Sequence, residues 1–177
     1  MVFRPPVEDI EFTLRHVAGI ERLAGKPGFE NYDGDLIAPI LQEAGKIARD
    51  VIAPLNQSGD REGATLGDKG VSAASGFGDA YKAYREGGWV GLAVPEAHGG
   101  QGLPRALASA VLEIVHGANM AFGLCPLLSQ GAIEALMAHG SDELQATYLP
   151  KLVSGEWTGT MNLTEPQAGS DVGALKT

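Results

Sequence analysis

Residues 155–177 read GEWTGTMNLTEPQAGSDVGALKT, and the fold turns on how this stretch is read. Trp157, Gly159, Met161 and Leu163 alternate with Thr158, Thr160, Asn162 and Thr164. That is the two-residue period of a β-strand. Pro166 cannot donate to a ladder and ends the pattern, and the turn AGSD follows. A lone strand with an open pairing edge is not a stable unit. The sequence is therefore expected to stop just after a second, β-rich domain begins, with Thr177 an artificial or proteolytic end.

Everything upstream carries the other periodicity. Ile37, Ile40, Leu41, Ala44, Ile47, Ala48, Val51, Ile52 and Leu55 recur at helical spacing, with Asp35 as the expected N-cap and Pro39 in the first turn. Residues 56–76, rich in glycine and polar side chains, predict a long loop. A second helix is expected over 77–86, with Phe77, Ala80, Tyr81 and Tyr84 inward and Gly87-Gly88 closing it. Trp89, Val90 and Leu92 then form a buried connection. Helices are expected over 104–119 and 126–139, the second stopped by Gly140. Ser141 caps a further one, with Asp142 and Glu143 in its first turn and Leu144, Tyr148, Leu149 and Leu152 on its inner face. The expected organisation is an N-terminal extension over 1–32, a helical domain over 33–154 and the start of a β-domain over 155–177. In the extension a short amphipathic helix from about Val7 to Ile20 places Ile10, Leu14 and Val17 on one face. The loop GKPGFENYDGD after it reads as a strap over the outside of the domain.

Composition narrows the function. The chain is 44% apolar, enough for a core, and 20% charged, which argues against wholesale disorder. Its formal net charge is −9 and no Lys/Arg cluster occurs, so a broad grip on nucleic acid is not expected. Backbone N–H groups can still hold one small polyanion. Cys125 is the single cysteine and reads as a buried thiol. No apolar run is expected to approach the ~18 residues a membrane span requires, and the start lacks a secretory pattern. The expectation is a soluble protein of the reducing cytoplasm.

Several motifs lead nowhere. Gly99–Gly102, GGQG, is followed by Pro104 and Arg105 without a third glycine or a preceding strand, and reads as a tight turn. His16, His98, His116 and His139 do not fall at metal-ligand spacings. Gly169-Ser170-Asp171 lacks the nucleophile-elbow frame. Glu165, beside a strand-ending proline, reads as support for the turn rather than as a base.

The run Met161, Asn162, Leu163, Thr164, Glu165, Pro166, Gln167, Ala168, Gly169, Ser170, Asp171 resembles the acyl-CoA dehydrogenase family, in which a strand ends in Leu/Val-Thr-Glu-Pro and continues x-Ala-Gly-Ser-Asp. GWVGLAVPEAHGGQG at 88–102, the helix around 112–118 and HGSDELQATYLPKLVSGEW at 139–157 agree in order and spacing. The resemblance covers roughly 33–177, and Phe3-Arg4-Pro5-Pro6 is similar to the longer branch that includes methylthiopropanoyl-CoA dehydrogenases. It implies a mainly α fold, the N-terminal helical bundle of that family followed by the first strand of a β-barrel domain.

The resemblance also implies FAD as cofactor, an acyl-CoA substrate, electron transfer flavoprotein as acceptor and a homo-oligomer. Backbone at Met161, Leu163 and Thr164 would face the flavin ring, with the Thr164 hydroxyl on its reactive edge. Gly169 and Ser170 would meet the pyrophosphate, and Ser170 the CoA portion as well. Met120, Phe122 and Leu124, in the apolar run 120–128, are candidates for the acyl pocket, against the plainer reading of core. The family's glutamate base lies in a C-terminal domain, so no catalytic residue is expected in this chain, and alone it should turn nothing over and bind FAD weakly or not at all. Two other readings stay open. One is an acyl-CoA oxidase or flavin monooxygenase of the same fold, decided by the base and by oxygen access. The other is a non-catalytic helical interaction module, which a natural end at Thr177 would support.

Overall fold

The computed structural model describes residues 3–30 and 32–177. The parts of the extension and strap read at Met1, Val2 and Asn31 lie outside the described residues. The order is α1 (Val7–Phe12), α2 (Ile37–Ile47), α3 (Pro54–Glu62), strands β1 (Thr65–Gly67) and β2 (Gly70–Ser72), α4 (Phe77–Glu86), α5 (Arg105–Ala118), α6 (Met120–His139) and α7 (Asp142–Val153).

The central stripe behaves as its spacing requires: Ile37, Leu41, Ala44, Ala48 and Ile52 are all fully buried. The cap is Asp33 rather than Asp35, its Oδ1 accepting from the Asp35 N–H at 2.9 Å to start a 3₁₀ turn ahead of α2. Between α2 and α3 the backbone widens into a π turn over Ala48–Ile52, closed by Ala53 N–H on Ala48 C=O at 2.8 Å. Pro54 explains it. A proline has no N–H for the carbonyl one turn back, and its ring crowds that carbonyl, so the helix absorbs one extra residue. The long loop expected over 56–76 is thereby shortened. Pro54 opens α3, which runs to Glu62, and β1 pairs with β2 in an exposed hairpin with Leu66 opposite Val71.

Residues 3–30 are not merely external. Ile10, Leu14 and Ile20 are buried in the same core as α2, α4 and α5, whereas Val17 is exposed because Thr13–Ala18 also forms a π turn and rotates it outward. Arg15 fastens this segment. Its Nε donates to Glu11 at 2.8 Å, Nη1 pairs with Glu21 and Nη2 donates to the Gly34 carbonyl at 3.1 Å.

α4 ends at Glu86 and the chain turns away through Gly87 and Gly88, the latter with a φ of 75°, the left-handed conformation glycine accepts without a Cβ clash. The GGQG stretch is a turn: the Gly99, Gly100 and Gly102 N–H groups bond back to Glu96, Pro95 and Val94 carbonyls. α5 and α6 pack against each other, tied at one place by the Arg105–Glu134 ion pair.

α6 starts six residues earlier than the sequence suggests. Asn119 caps it, accepting from the Phe122 N–H at 3.1 Å, and Pro126 sits inside the helix rather than at its start. With those six residues added, α6 has 20 residues and is long and apolar enough, by length and composition, to cross a membrane, which corrects the expectation that no run approaches that length. Here it packs in the bundle on α5 and α7. α7 is capped by Ser141, as expected, with Leu149, Leu152 and Val153 buried. Leu144 and Tyr148, expected inward, are exposed on its outer side.

Candidate functional site

The alternating stretch leaves α7 through Gly155, whose φ of 72° and closely packed surroundings suit glycine. Tyr81 donates its hydroxyl to the Gly155 carbonyl at 3.1 Å, and Trp157 N–H reaches the Lys151 carbonyl at 3.0 Å. Trp157 then lies against Tyr148, ring centroids 6.0 Å apart, with the Lys151 ammonium 4.8 Å from its ring.

Gly159 is the docking point. Its N–H donates to Ser129 Oγ at 3.1 Å, and a Cβ there would stand 2.6 Å from Ala132 Cβ and 3.1 Å from the Leu128 carbonyl. Ser129 is fully buried and donates in turn to the Cys125 carbonyl at 3.1 Å. The segment is thus pinned to the middle of α6 immediately before the residues of interest.

Thr160 to Thr164 form no ladder, so the expected strand is absent as a paired element. The reason is physical: a strand is defined by its partner, and no other described segment lies alongside to supply the N–H and C=O groups. The main-chain groups of Thr160, Met161, Asn162, Leu163 and Thr164 take no partner among the described residues. Met161 is 65% exposed and Leu163 44%. An unpaired edge flanked by exposed apolar side chains suits a flat heteroaromatic ring with donors and acceptors along one side.

The loop after Thr164 is built on Glu165. Its N–H and C=O exchange bonds with Ala168 at 2.8 and 3.1 Å, closing a tight turn over buried Ala168. Its carboxylate accepts from the Lys176 and Thr177 N–H groups, each at 3.0 Å, and from the Thr177 hydroxyl and Gln167 Nε2. The Thr177 hydroxyl foremost, then the Lys176 N–H, hold that carboxyl well below its ordinary range, at about 2. A carboxylate so engaged is a structural anion, as its place beside Pro166 suggests. Between these anchors Gly169 and Ser170 are exposed, and their N–H groups take no partner among the described residues. Gly169 has no positive φ, and a Cβ there would meet only Thr164 Cγ2 at 4.0 Å. Nothing within the chain fills the space beside this glycine, so its backbone is open to close approach. Taken together, the residues fit a flavin dinucleotide: an open main-chain edge for the ring, then a donor-bearing turn for its phosphates.

The three acyl-pocket candidates separate. Phe122 is buried, its ring 5.8 Å from Tyr84 and 6.3 Å from Phe77. Met120 and Leu124 are exposed on α6, and Met120 lines a shallow groove with Leu112, Glu113 and His116. Cys125 is exposed rather than buried, because it falls on the outer side of the same helix, and desolvation of its thiol pushes the pKa up, away from a reactive thiolate. The residue that sequence reasoning missed is Ser129. A serine one helical turn after Cys125 in an apolar run looks like a polar interruption, and only the approach of Gly159 from 30 residues away gives it a role.

A family model described as the N-terminal domain of acyl-CoA dehydrogenases matches residues 38–156. The chain belongs to the acyl-CoA dehydrogenase family. It is 43% identical over 176 residues to 3-methylmercaptopropionyl-CoA dehydrogenase of Ruegeria pomeroyi, covering 99% of this chain and 30% of that protein. It is 33% identical over 175 residues to a butyryl-CoA dehydrogenase of Syntrophomonas wolfei, covering 97% of this chain and 28% of that one. Among solved structures, a chain from work on the electron transferring flavoprotein of Acidaminococcus fermentans superimposes with a TM-score of 0.65 at 22% identity, over 82% of this chain and 35% of that one, a likeness of fold. The chain spans about three tenths of the length of the curated relatives it matches.

Proposed function

We propose that this chain is the N-terminal helical domain and first flavin-facing segment of an FAD-dependent acyl-CoA dehydrogenase, which converts an acyl-CoA thioester to its trans-2-enoyl-CoA. The observation that carries the reading is the open main-chain edge at 160–164 leading into the Glu165-closed turn, in a member of this family. FAD, when bound, supplies the two-electron acceptor for the hydride that leaves the β-carbon. The chain's own part is binding and orientation. Met161 and Leu163 main chain and the Thr164 hydroxyl address the ring, and Gly169 and Ser170 N–H groups address the phosphates, with Ser170 also near the CoA portion. Donors fixed in place before the reaction favour negative charge on their ligand without reorganising. Met120 and Leu124 offer apolar surface to the acyl chain, and Phe122 backs them from the core.

The names of the relatives favour a short acyl group, with or without a thioether. Electron transfer flavoprotein is the proposed acceptor, a homo-oligomer the proposed assembly, and the cytoplasm, suited to the exposed thiol of Cys125, the proposed setting. The test is to purify the product of the native gene and add butyryl-CoA or 3-methylmercaptopropionyl-CoA without oxygen. Bleaching of a flavin absorbance with formation of the enoyl-CoA is expected. A protein without flavin, or a flavin that no acyl-CoA reduces, overturns the reading, and hydrogen peroxide production in air would favour the oxidase.

A further inference from the structure

Glu165 remains unused by the binding roles above, yet its carboxylate gathers more hydrogen bonds than any other side chain among the described residues. Two of its donors, the Lys176 and Thr177 N–H groups, lie 11 and 12 residues along the chain. A loop of that length left open samples many conformations, and joining its ends removes most of them. The joint is of the strong kind, charge-assisted and met by two main-chain N–H groups and a hydroxyl. Inside the ring the chain is locked again on either side of the free donors. The Glu165–Ala168 turn precedes them, and Asp171 Oδ1 follows, accepting from the Gly173 N–H at 3.1 Å. Gly169 and Ser170 stand between these locks with their N–H groups unpaired among the described residues. The two carboxylates nearest the turn oppose an anion there, and the donors on both Glu165 oxygens and on Asp171 Oδ1 disperse part of that charge.

We infer that Glu165 is the positioning residue of this site: by bonding Lys176 and Thr177 it closes residues 165–177 into a ring that holds the Gly169 and Ser170 N–H groups ready for the FAD pyrophosphate. The inference rests on the flavin reading above and adds to it how the phosphate subsite is kept in shape. Glu165 acts through the loop and takes no part in proton transfer. Its loss should therefore weaken the phosphate-bearing cofactor selectively.

The experiment compares the native gene product with its Glu165→Gln variant, each stripped of flavin and titrated with FAD and with lumiflavin, which has the ring but no pyrophosphate. Glu165→Gln keeps the size of the side chain but replaces one acceptor oxygen by a donor facing N–H groups. The expected result is an FAD Kd raised about tenfold or more, as loss of charge-assisted bonds implies. The lumiflavin Kd should change less than about twofold, and the flavin-free melting temperature by about 1 °C or less. Thr177→Val, which removes one donor only, should raise the FAD Kd by a smaller factor in the same direction. An FAD Kd within about twofold of the parent overturns the inference and leaves the flavin reading standing. Equal weakening of FAD and lumiflavin with a lowered melting temperature also overturns it, since Glu165 would then be merely structural. A parent protein that binds no FAD overturns both.

Discussion

Ser129 Oγ accepts the Gly159 N–H at 3.1 Å, so a buried hydroxyl in the middle of α6 fixes where the unpaired segment 160–164 begins. Among the described residues, nothing else polar on α6 is both fully buried and bonded to another segment. Ser129→Ala leaves a part-buried N–H without a partner, which costs about 1–2 kcal/mol. Urea unfolding should show a loss of that size, with Trp157 fluorescence shifted. A loss under about 0.3 kcal/mol would mean that the contact does not hold the segment.

The α5–α6 interface depends on a missing side chain. A Cβ on Gly123 would fall 2.0 Å from His116 Cδ2 and 2.5 Å from its Nε2, so the ring sits in the space glycine leaves. Gly123→Ala should destabilise by about 1–3 kcal/mol through overpacking. Adding His116→Ala should recover part of that loss, a coupling that a double-mutant cycle reads directly. Additive losses would show that the two residues do not compete for space.

Tyr84 is fully buried, and its hydroxyl finds no partner among the described residues. Burial pushes its phenol pKa upward, so it stays neutral across the working range. Tyr84→Phe keeps the edge-to-face packing on Phe122 and removes an unpaired polar atom. We expect a change between neutral and about 1 kcal/mol more stable by thermal unfolding. A loss above about 1 kcal/mol would reveal a bonded water or ligand at that hydroxyl.

Glu165 makes the loop pH-sensitive in a defined direction. Its carboxyl is held at about 2 in the folded chain against an ordinary 4.5. Because the side chain is solvent-screened, the depressed carboxyl favours closure of this local ring rather than the fold as a whole, an advantage fully present above the ordinary value and lost as pH falls through about 2. The 165–177 ring should therefore remain closed at neutral pH and loosen between those limits. A carboxyl-detected NMR titration should find the Glu165 resonance moving near pH 2, and Glu165→Gln should abolish this part of the acid dependence. Titration near 4.5 would show that the ring is open in solution.

What could be read from the sequence follows from the range of the forces involved. The α2 stripe, the Gly87-Gly88 stop and the Ser141 cap were legible because periodicity, left-handed glycine and capping act within a turn or two of chain. The family was legible from an eleven-residue motif in its helical context. Pro54 and Pro126 look alike locally, yet one opens a helix and the other lies inside one, because neighbours and caps decide the outcome. Alternation at 157–164 is a true strand pattern that no described segment completes. Leu144 and Tyr148 satisfy the helical period of α7 but face away from the bundle. Ser129 and the donors to Glu165 could not be foreseen, since their partners lie 30, 11 and 12 residues away.

The central claim is that the free main-chain edge from Met161 to Thr164 is where the flavin ring lies. Amide hydrogen exchange on the native gene product, with and without FAD, tests it most directly. The account predicts that the Met161, Leu163 and Thr164 amides exchange freely without FAD and slow by about tenfold or more with it, while the α5 amides are unchanged. FAD bound at saturation with no change in exchange at 160–164 would contradict it.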